Sequence, residues 1–444
     1  MSFLYNLAYL TFGFFYLPVF LGKIRQAENP RRLLAERMGY VPALPAGQKT
    51  VWLHAVSVGE VMAVRKFVEE FQGLFPDYHL VLTTVTPTGQ SIARSMQGPN
   101  VSVFYFPFDL SFVCRRFFSR LRPVCLLLAE TEIWPNLLSE AARAGVPAGI
   151  LNARLSERSA RRYKRASFIF RKFFSGLDFV LAQSEEDAER FRDVGVAPER
   201  VQVAGNMKYD NAALEEKPSD NGYLKTRCNL QPEDKVLIAG STHPGEDEIL
   251  GRVLLSLRAD FPRLRMIIAP RHIERTPSIL KLIQAQGLSV DTASKRENQN
   301  WDVLVLDHIG VLKDLYRIAD FVFMGGSLVP HGGQNPIEPA GFKKAVIHGT
   351  HVFNFQKVYQ MMDKEGACLC ARGEAELSAA VRTLLTDPGK CRDLGERAFT
   401  VVKRLQGATR RHLEYVGSFL SRSHERIQDV QFHEKLFPAA GGRL

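Results

Sequence analysis

VWLHAVSVGE, residues 51–60, passes from strand to helix without a spacer. Its first half is a continuous apolar run of the kind a sheet buries on both faces. Ser57-Val58-Gly59 breaks the run, and Glu60 then falls in the first turn of a helix that reads on to about Phe71. A buried strand that turns directly into an amphipathic helix is the building unit of open α/β sheets. Such sheets place ligands and chemistry at the carboxyl ends of their strands, which is where Glu60 stands. An acid in a first turn also complements the helix dipole, which favours its ionised form. Taken alone, Glu60 therefore reads first as an ordinary helix-start acid.

Outward from this stretch the pattern repeats. TVWLHAV, YHLVLTT, VSVFYF, PVCLLLAE, AGILNA, DFVLAQS and VQVAGN read as strands separated by amphipathic segments, which indicates a parallel α/β organisation. PTGQSIARSM (87–96) and SEEDAERFRDVG (184–195) read as helices, the second with Ser184 as N-cap and Gly195 as its stop. Residues 212–234 are polar, lose strand periodicity and read as a linker plus a lead-in helix. A second series follows: KVLIAGS, LRMIIAP, DVLVLD, ADFVFMGG, KAVIHG and ACLCA. The expected domains are thus 23–211 and 235–421, with 422–444 as a tail. The stretch from Glu374 to about Ser421 reads as wholly helical, with the option of crossing back onto the first domain.

At 444 residues two cores are expected. The net charge of +11 is concentrated in residues 153–172, which carry Arg154, Arg158, Arg161, Arg162, Lys164, Arg165, Arg171 and Lys172. Such a run suits an anionic partner or a solvated helix face. No nucleic-acid-binding motif accompanies it, so nucleic acid is discounted. The six cysteines are scattered, and no Cys/His cluster has zinc spacing. Residues 3–22 contain no charged side chain and are long enough to cross the hydrocarbon core. Lys23, Arg25, Arg31, Arg32 and Arg37 follow, so a membrane anchor over 1–22 with a cytoplasmic body is expected, either spanning or inserted in one leaflet.

Unusual residues gather at strand–loop junctions. GSTHPGEDE (240–248) places small and hydroxyl residues before a helix start, a place where phosphates bind, though it is not a Walker motif. Arg271 and His272 follow the next strand, and Gly310 sits at a strand-to-helix turn. In FMGGSLVPHGGQNPIEPAG (323–341), glycine pairs flank a loop that reads into a helix with Asn335 as N-cap, Pro336 at its first position and Glu338 two residues on. That is a near capping box. It is also a backbone able to wrap a ligand, with Glu338 in reach of ribose hydroxyls. In the first half, Glu130 and Glu132 lie just past LLLA, and Lys208 closes VAGNMK; Glu60, Glu130 and Lys208 are expected to converge.

HAVSVGE, AETEIWPN, GNMKYD, GSTHPGEDE, APRH, GGSL and GGQNPIEPA occur in the order seen in the lipid A-specific 3-deoxy-D-manno-octulosonic acid (Kdo) transferases, which the chain resembles over nearly its whole length. The resemblance implies a GT-B fold: two Rossmann-like domains facing a cleft, acceptor on the first and nucleotide sugar on the second. It implies inverting transfer of Kdo from CMP-Kdo to a lipid A precursor, lipid IVA, at the inner leaflet of the inner membrane. Glu60 then looks like the catalytic base, with Glu130 and Lys208 as transition-state supports. CMP is expected around Pro270 and Arg271, around Ile309, Gly310 and Val311, and around Asn335, Pro336, Ile337 and Glu338. Val311 and Gln334 depart from the acidic residue and the histidine that family members often carry. No DxD motif stands at a strand end, so neither a catalytic metal nor a further cofactor is expected. Two rival readings remain: another GT-B envelope glycosyltransferase using a UDP-sugar, and a non-catalytic, membrane-anchored phospholipid-binding protein.

Overall fold

The computed structural model describes residues 5–7, 9–11, 13, 15, 22, 29–45, 47–215, 221–295 and 300–436, with side chains described through 422. The chain divides into two compact units, Met1–Asn211 with Gln406–Leu444, and Ala212–Leu405.

The first unit holds seven strands: β1 Lys49–His54, β2 Tyr78–Thr84, β3 Val101–Tyr105, β4 Pro123–Ala129, β5 Ala148–Ala153, β6 Phe179–Ala182 and β7 Val201–Val203. They run in the order β3-β2-β1-β4-β5-β6-β7, and each neighbouring pair is parallel. β1 is apolar throughout because both its faces are covered. Val51 and Leu53 pack with Val64, Phe67 and Phe71 of the helix Val58–Leu74, while Trp52 packs on the other face with Phe117 and Leu137. Connections run outward from β1 through β2 to β3, then restart on the opposite side with β4. The β1/β4 boundary is therefore the topological switch point, where open α/β sheets bind ligands.

The second unit repeats the plan with β8 Lys235–Thr242, β9 Leu264–Pro270, β10 Val290–Thr292, β11 Val303–Val305, β12 Phe321–Met324, β13 Ala345–His348 and β14 Cys368–Cys370. Their order is β10-β11-β9-β8-β12-β13-β14, again all parallel, with the switch between β8 and β12. β10 escaped the sequence reading, being a three-residue strand at the sheet edge.

Three expectations are corrected. Residues 212–215 and 221–234 are built into the second unit: Glu215 pairs with Arg317 at 2.8 Å, and the Trp301 indole donates to the Cys228 carbonyl at 3.1 Å. The second unit also ends at Leu405, not at 421. The stretch beyond Glu374 is three helices, Glu374–Thr386, Pro388–Leu405 and Ala408–Leu436. They are broken at Pro388, which cannot continue a helix, and at Gly407, which has φ +87°. The last helix returns to the first unit, where Ala408, Leu413, Val416 and Leu420 join the core beside β1; it also takes in much of the presumed tail.

Most of the expected anchor, 1–22, lies outside the described residues. The described part docks by polar contacts: Asn6 Nδ2 donates to Ser111 Oγ at 2.9 Å, and Asn6 Oδ1 accepts from Asn136 Nδ2 at 2.7 Å. Leu7, Leu10 and Phe15 remain exposed. Among the described residues, no helix is long and apolar enough to cross a membrane.

Candidate active site

Glu60 enters the site through a capping arrangement. Ser57 is the N-cap of the helix Val58–Leu74, and its Oγ accepts from the Glu60 amide at 3.4 Å. The Glu60 carboxylate accepts in return from Ser57 Oγ at 2.9 Å and from the Val56 amide at 2.8 Å. This reciprocity satisfies amides that a helix start leaves unpaired. Glu60 is only 9% exposed. Burial raises its pKa; the Val56 and Ser57 hydrogen bonds oppose that, Glu130 adds to it, and Lys208 opposes it. Desolvation wins, and the carboxylate is a stronger base than an exposed one.

Glu130 follows β4, across the switch point from β1. Its backbone is left-handed, with φ +58°, and its amide donates to Leu151 O at 2.9 Å. Non-glycine residues hold such a conformation at a cost of about 1–3 kcal/mol, and they cluster at functional sites. Lys208 Nζ meets Glu130 Oε1 at 2.6 Å. The expected convergence of Glu60, Glu130 and Lys208 is therefore present within one unit: two of them form an ion pair, and both act on the charge of the third.

Other residues hold this centre in place. Lys208 lies in the 3-10 turn Met207–Asn211. Asn152, itself at φ +51°, accepts from the Met207 amide at 2.9 Å, and its own amide donates to His412 Nε2 at 2.9 Å. Burial lowers the His412 pKa to about 4, so the ring is neutral and able to accept. Asp210 accepts from the amides of Gly407 and Thr409, at the start of the last helix. The roles of His412 and Asp210 were invisible in sequence because their partners are 260 and 197 positions away in the chain. Glu132 was noticed beside Glu130 but given no role. Burial first, then the charges of Glu60 and Glu130, push its pKa up to about 8. Glu132 is accordingly protonated at neutral pH beside Glu60, and two carboxyls with separated affinities are how sites divide acid and base roles. His54 of the same motif is structural: fully buried, stacked on Phe106 at 3.8 Å, and with its pKa lowered by burial to about 3.

In the second unit, the expected donor residues follow the carboxyl ends of β9, β11 and β12, with β8 between β9 and β12. Pro270 ends β9 and Arg271 follows it; Ile309, Gly310 and Val311 follow β11; Asn335 to Glu338 follow β12. Arg271 is exposed and makes no ion pair among the described residues. Gly310 has φ +101° beside a strongly exposed Ile309. The helix runs Ile337–Gly341 and Pro336 occupies the cap position, so the expected cap at Asn335 is one residue early. Asn335 still accepts from the Ile337 amide at 3.1 Å and donates to Glu338 at 3.4 Å. Burial raises the Glu338 pKa, opposed by Lys313 and Asn335.

The glycine loop behaves differently from the reading that it wraps a ligand along its length. The buried carboxylate of Glu246 accepts from the amides of Gly326 at 2.7 Å, Ser327 at 3.0 Å and Leu328 at 3.1 Å, and from His243 at 2.8 Å. A glutamate from the GSTHPGEDE motif thus fills the nest across the β8/β12 switch. Gly325 lies so near β8 that a Cβ would meet Ser241 O at 2.4 Å. Beside the nest, the His243 ring stacks on His331 at 4.2 Å and meets His272 edge-on at 6.2 Å. Burial first, then these histidines, Arg275 and Arg271, lower the His243 pKa to about 4. Gln334 donates to His243 at 3.2 Å, so the departure from histidine at 334 keeps a hydrogen bond. Val311 lines an apolar pocket with Leu304, Leu306 and Leu315, where valine fits.

Two seven-stranded, wholly parallel units, each with its polar groups at the switch point, define the GT-B class. Solved structures share the fold: a glycosyltransferase from Rickettsia africae (TM-score 0.57, 12% identity, covering 84% of this chain and 99% of that one) and a UDP-GlcNAc 2-epimerase from Neisseria meningitidis (TM-score 0.56, 12% identity, 83% and 100%). The sequence narrows the class. A family model described as 3-deoxy-D-manno-octulosonic-acid transferase (kdotransferase) matches residues 32–211. The 3-deoxy-D-manno-octulosonic acid transferase of Haemophilus influenzae is 35% identical over 88% of this chain and 92% of its own length. That of Bordetella pertussis is 32% identical over 83% and 87%. The chain belongs to the Kdo transferase family, the glycosyltransferases that add Kdo in lipopolysaccharide synthesis.

Proposed function

We propose that this chain transfers Kdo from CMP-Kdo to a hydroxyl of a lipid A precursor, lipid IVA, with Glu60 as general base and inversion at the anomeric carbon. The observation that carries the reading is the buried Glu60 carboxylate at the β1/β4 switch, with the Glu130–Lys208 pair and with Glu132, whose pKa burial pushes up. Glu60 takes the proton of the acceptor hydroxyl while that oxygen attacks the anomeric carbon. The bond from that carbon to the CMP phosphate breaks, and its electron pair leaves with CMP. Lys208, held by Glu130 and by the turn below it, keeps positive charge near the base and favours its ionised form. Arg271 and the amides around Gly310 suit the CMP phosphate, and Glu338 suits ribose hydroxyls. Every role here is filled by the chain's own side chains and amides.

The acceptor is an anionic lipid, so the chain is placed at the inner-leaflet surface of the inner membrane. Exposed Arg154, Arg158, Arg162 and Arg165, with the strongly exposed Phe168, support contact there. The exposed Leu7, Leu10 and Phe15 support insertion of the N-terminal segment in one leaflet. The test is to incubate the purified chain with CMP-Kdo and lipid IVA and weigh the products. Addition of Kdo mass is expected. Transfer only from a UDP-sugar, no transfer by wild-type protein, or undiminished transfer by Glu60→Gln overturns the reading.

A further inference from the structure

We propose that His348, Asp363 and Cys368 form a binding site for a zinc-class divalent ion that braces the donor-side loops of the second unit. No cysteine–histidine spacing announces it. The three residues come from the end of β13, the helix Gln356–Lys364 and the start of β14, and only the parallel β13/β14 pairing brings them together. Their ligand atoms all lie within 4.8 Å of one another. The individual edges are 3.6 Å from Cys368 Sγ to His348 Nε2, 3.4 Å from His348 Nε2 to Asp363 Oδ1, and 3.1 Å from Cys368 Sγ to Asp363 Oδ1. Zinc binds sulfur at about 2.3 Å and nitrogen or oxygen at about 2.0–2.2 Å, so tetrahedral ligands stand roughly 3.3–3.6 Å apart. Two edges match, and the third needs a small outward turn of the half-exposed Asp363 side chain.

The surroundings fit an ion as well as the edges do. His348 Nδ1 lies 2.7 Å from the Gly349 carbonyl. Donation to that carbonyl leaves the Nε2 lone pair facing Asp363 and Cys368, which is the outer-shell device that orients metal-bound histidines. The Tyr359 ring packs on His348 at 4.5 Å. His348 and Cys368 are buried while Asp363 is half exposed, so one side of the trio is open to an entering ion and to a water as fourth ligand. Binding replaces the Cys368 thiol proton with the metal–sulfur bond, and the proton passes to solvent. A lone cysteine, histidine or acid would be weak here; a soft, a borderline and a hard donor at these separations select zinc over magnesium or calcium.

The ion's role follows from what the ligands touch. The Gly349 amide donates to Ser327 Oγ at 2.7 Å and the His351 amide to Ser327 O at 2.9 Å, while Tyr359 OH donates to Gln334 O at 3.0 Å. Ser327 and Gln334 bound the glycine loop that leads into Asn335 and Glu338. Fixing His348 to the edge strand and its covering helix therefore fixes that loop. This role lies outside the transfer chemistry.

The full-length chain, stripped with chelator under reducing conditions, is to be titrated with Co²⁺ and read by absorbance, then with Zn²⁺ in competition. One ion per chain is expected, with a near-ultraviolet thiolate-to-cobalt band that zinc abolishes, and a melting temperature that rises with zinc. Cys368→Ser is expected to lose the band, and Asp363→Asn to weaken cobalt binding by more than the roughly 10–100-fold of an outer-shell change. Cys370→Ser and His331→Ala, which remove an exposed thiol and a member of the other histidine cluster, are expected to keep the band. Because Asp363 is half exposed, its variant reports on binding even where Cys368→Ser fails to fold. Absence of a thiolate band in wild-type protein, undiminished binding in Asp363→Asn, or loss of the band in Cys370→Ser with its retention in Cys368→Ser overturns the proposal.

Discussion

Glu60 does two jobs with one carboxylate, and its substitution must be read for both. As the reciprocal partner of Ser57 it closes a helix start; as a buried acid near Lys208 it is the base. Glu60→Gln is expected to lower turnover by about 10²–10⁴ while leaving CMP-Kdo affinity near normal. Ser57→Ala removes the cap and one hydrogen bond to the Glu60 carboxylate but leaves that carboxylate in place, costs about 1 kcal/mol of stability and leaves most turnover. Comparable turnover losses in the two variants, tracking their melting temperatures, would make Glu60 merely a cap. Lys208 holds the Glu60 pKa down, so Lys208→Met is expected to move the acidic limb of the kcat/KM profile to higher pH; an unmoved limb would remove Lys208 from the base's surroundings. Glu132 gives a stability signature of opposite sense. Its pKa is raised to about 8 in the fold, while an unfolded glutamate titrates near 4.5. Between those values the unfolded chain has already lost the proton that the folded chain keeps, so stability falls as pH rises through this window. Glu132→Gln should flatten that fall in denaturation curves measured from pH 5 to 8. Glu60 and Glu130 were legible in sequence from their place after apolar runs. The weight of Glu132 was not, because its shift comes from burial and neighbouring charge, which spacing does not show.

Most strands were legible because they are buried on both faces and therefore continuous in apolar residues; β10 was lost because its three residues at the sheet edge include Asp291 and Thr292 and form no apolar run. The chain's two returns were not legible. Residues 212–234 look like a linker since their contacts, such as Glu215 with Arg317 and Trp301 with Cys228, are made by single polar groups far away in sequence. The glycine loop looked open to ligand because nothing local shows Glu246 seated in its amides. That seating gives an expectation. Glu246→Gln turns one accepting oxygen into a donor facing amides, so stability should fall by about 1–3 kcal/mol. Donor affinity should fall with it, since the same loop leads to Asn335 and Glu338. Calorimetric CMP binding measured below the variant's melting transition checks this, and unchanged affinity would separate the loop from the donor. The N-terminal segment also makes contacts within the first unit. Asn6 bonds to Ser111 and Asn136, so removing residues 1–22 should lower the melting temperature of the first unit as well as its bilayer binding.

A net charge of +11 on a chain of 444 residues does not specify a fold, but it favours anionic partners. The bias is local. The helices Glu157–Arg165 and Ser167–Ser175 present exposed Arg158, Arg162, Arg165 and Lys172 together with Phe168, which is 83% exposed. Arg161 and Lys164 of the same run are engaged by Glu157 and Asp193, at 3.4 and 2.7 Å, so they have less to offer a lipid phosphate. Arg158 and Arg165 lie seven positions apart, two turns along one side of their helix. A basic side chain near an anionic surface contributes about 1 kcal/mol, so Arg158→Gln with Arg165→Gln should weaken binding to anionic vesicles by about 2 kcal/mol, roughly thirtyfold. Wild-type binding should itself weaken with salt, because exposed charges are screened within about 8 Å at physiological ionic strength. Turnover of dispersed acceptor in detergent should be kept, since Glu60, Glu130 and Lys208 are untouched, while turnover of acceptor in bilayers should fall. Vesicle sedimentation across a salt series, paired with the two assays, checks all of this. Binding that ignores both salt and the double substitution would mean that the apolar N-terminal residues alone hold the protein at the membrane.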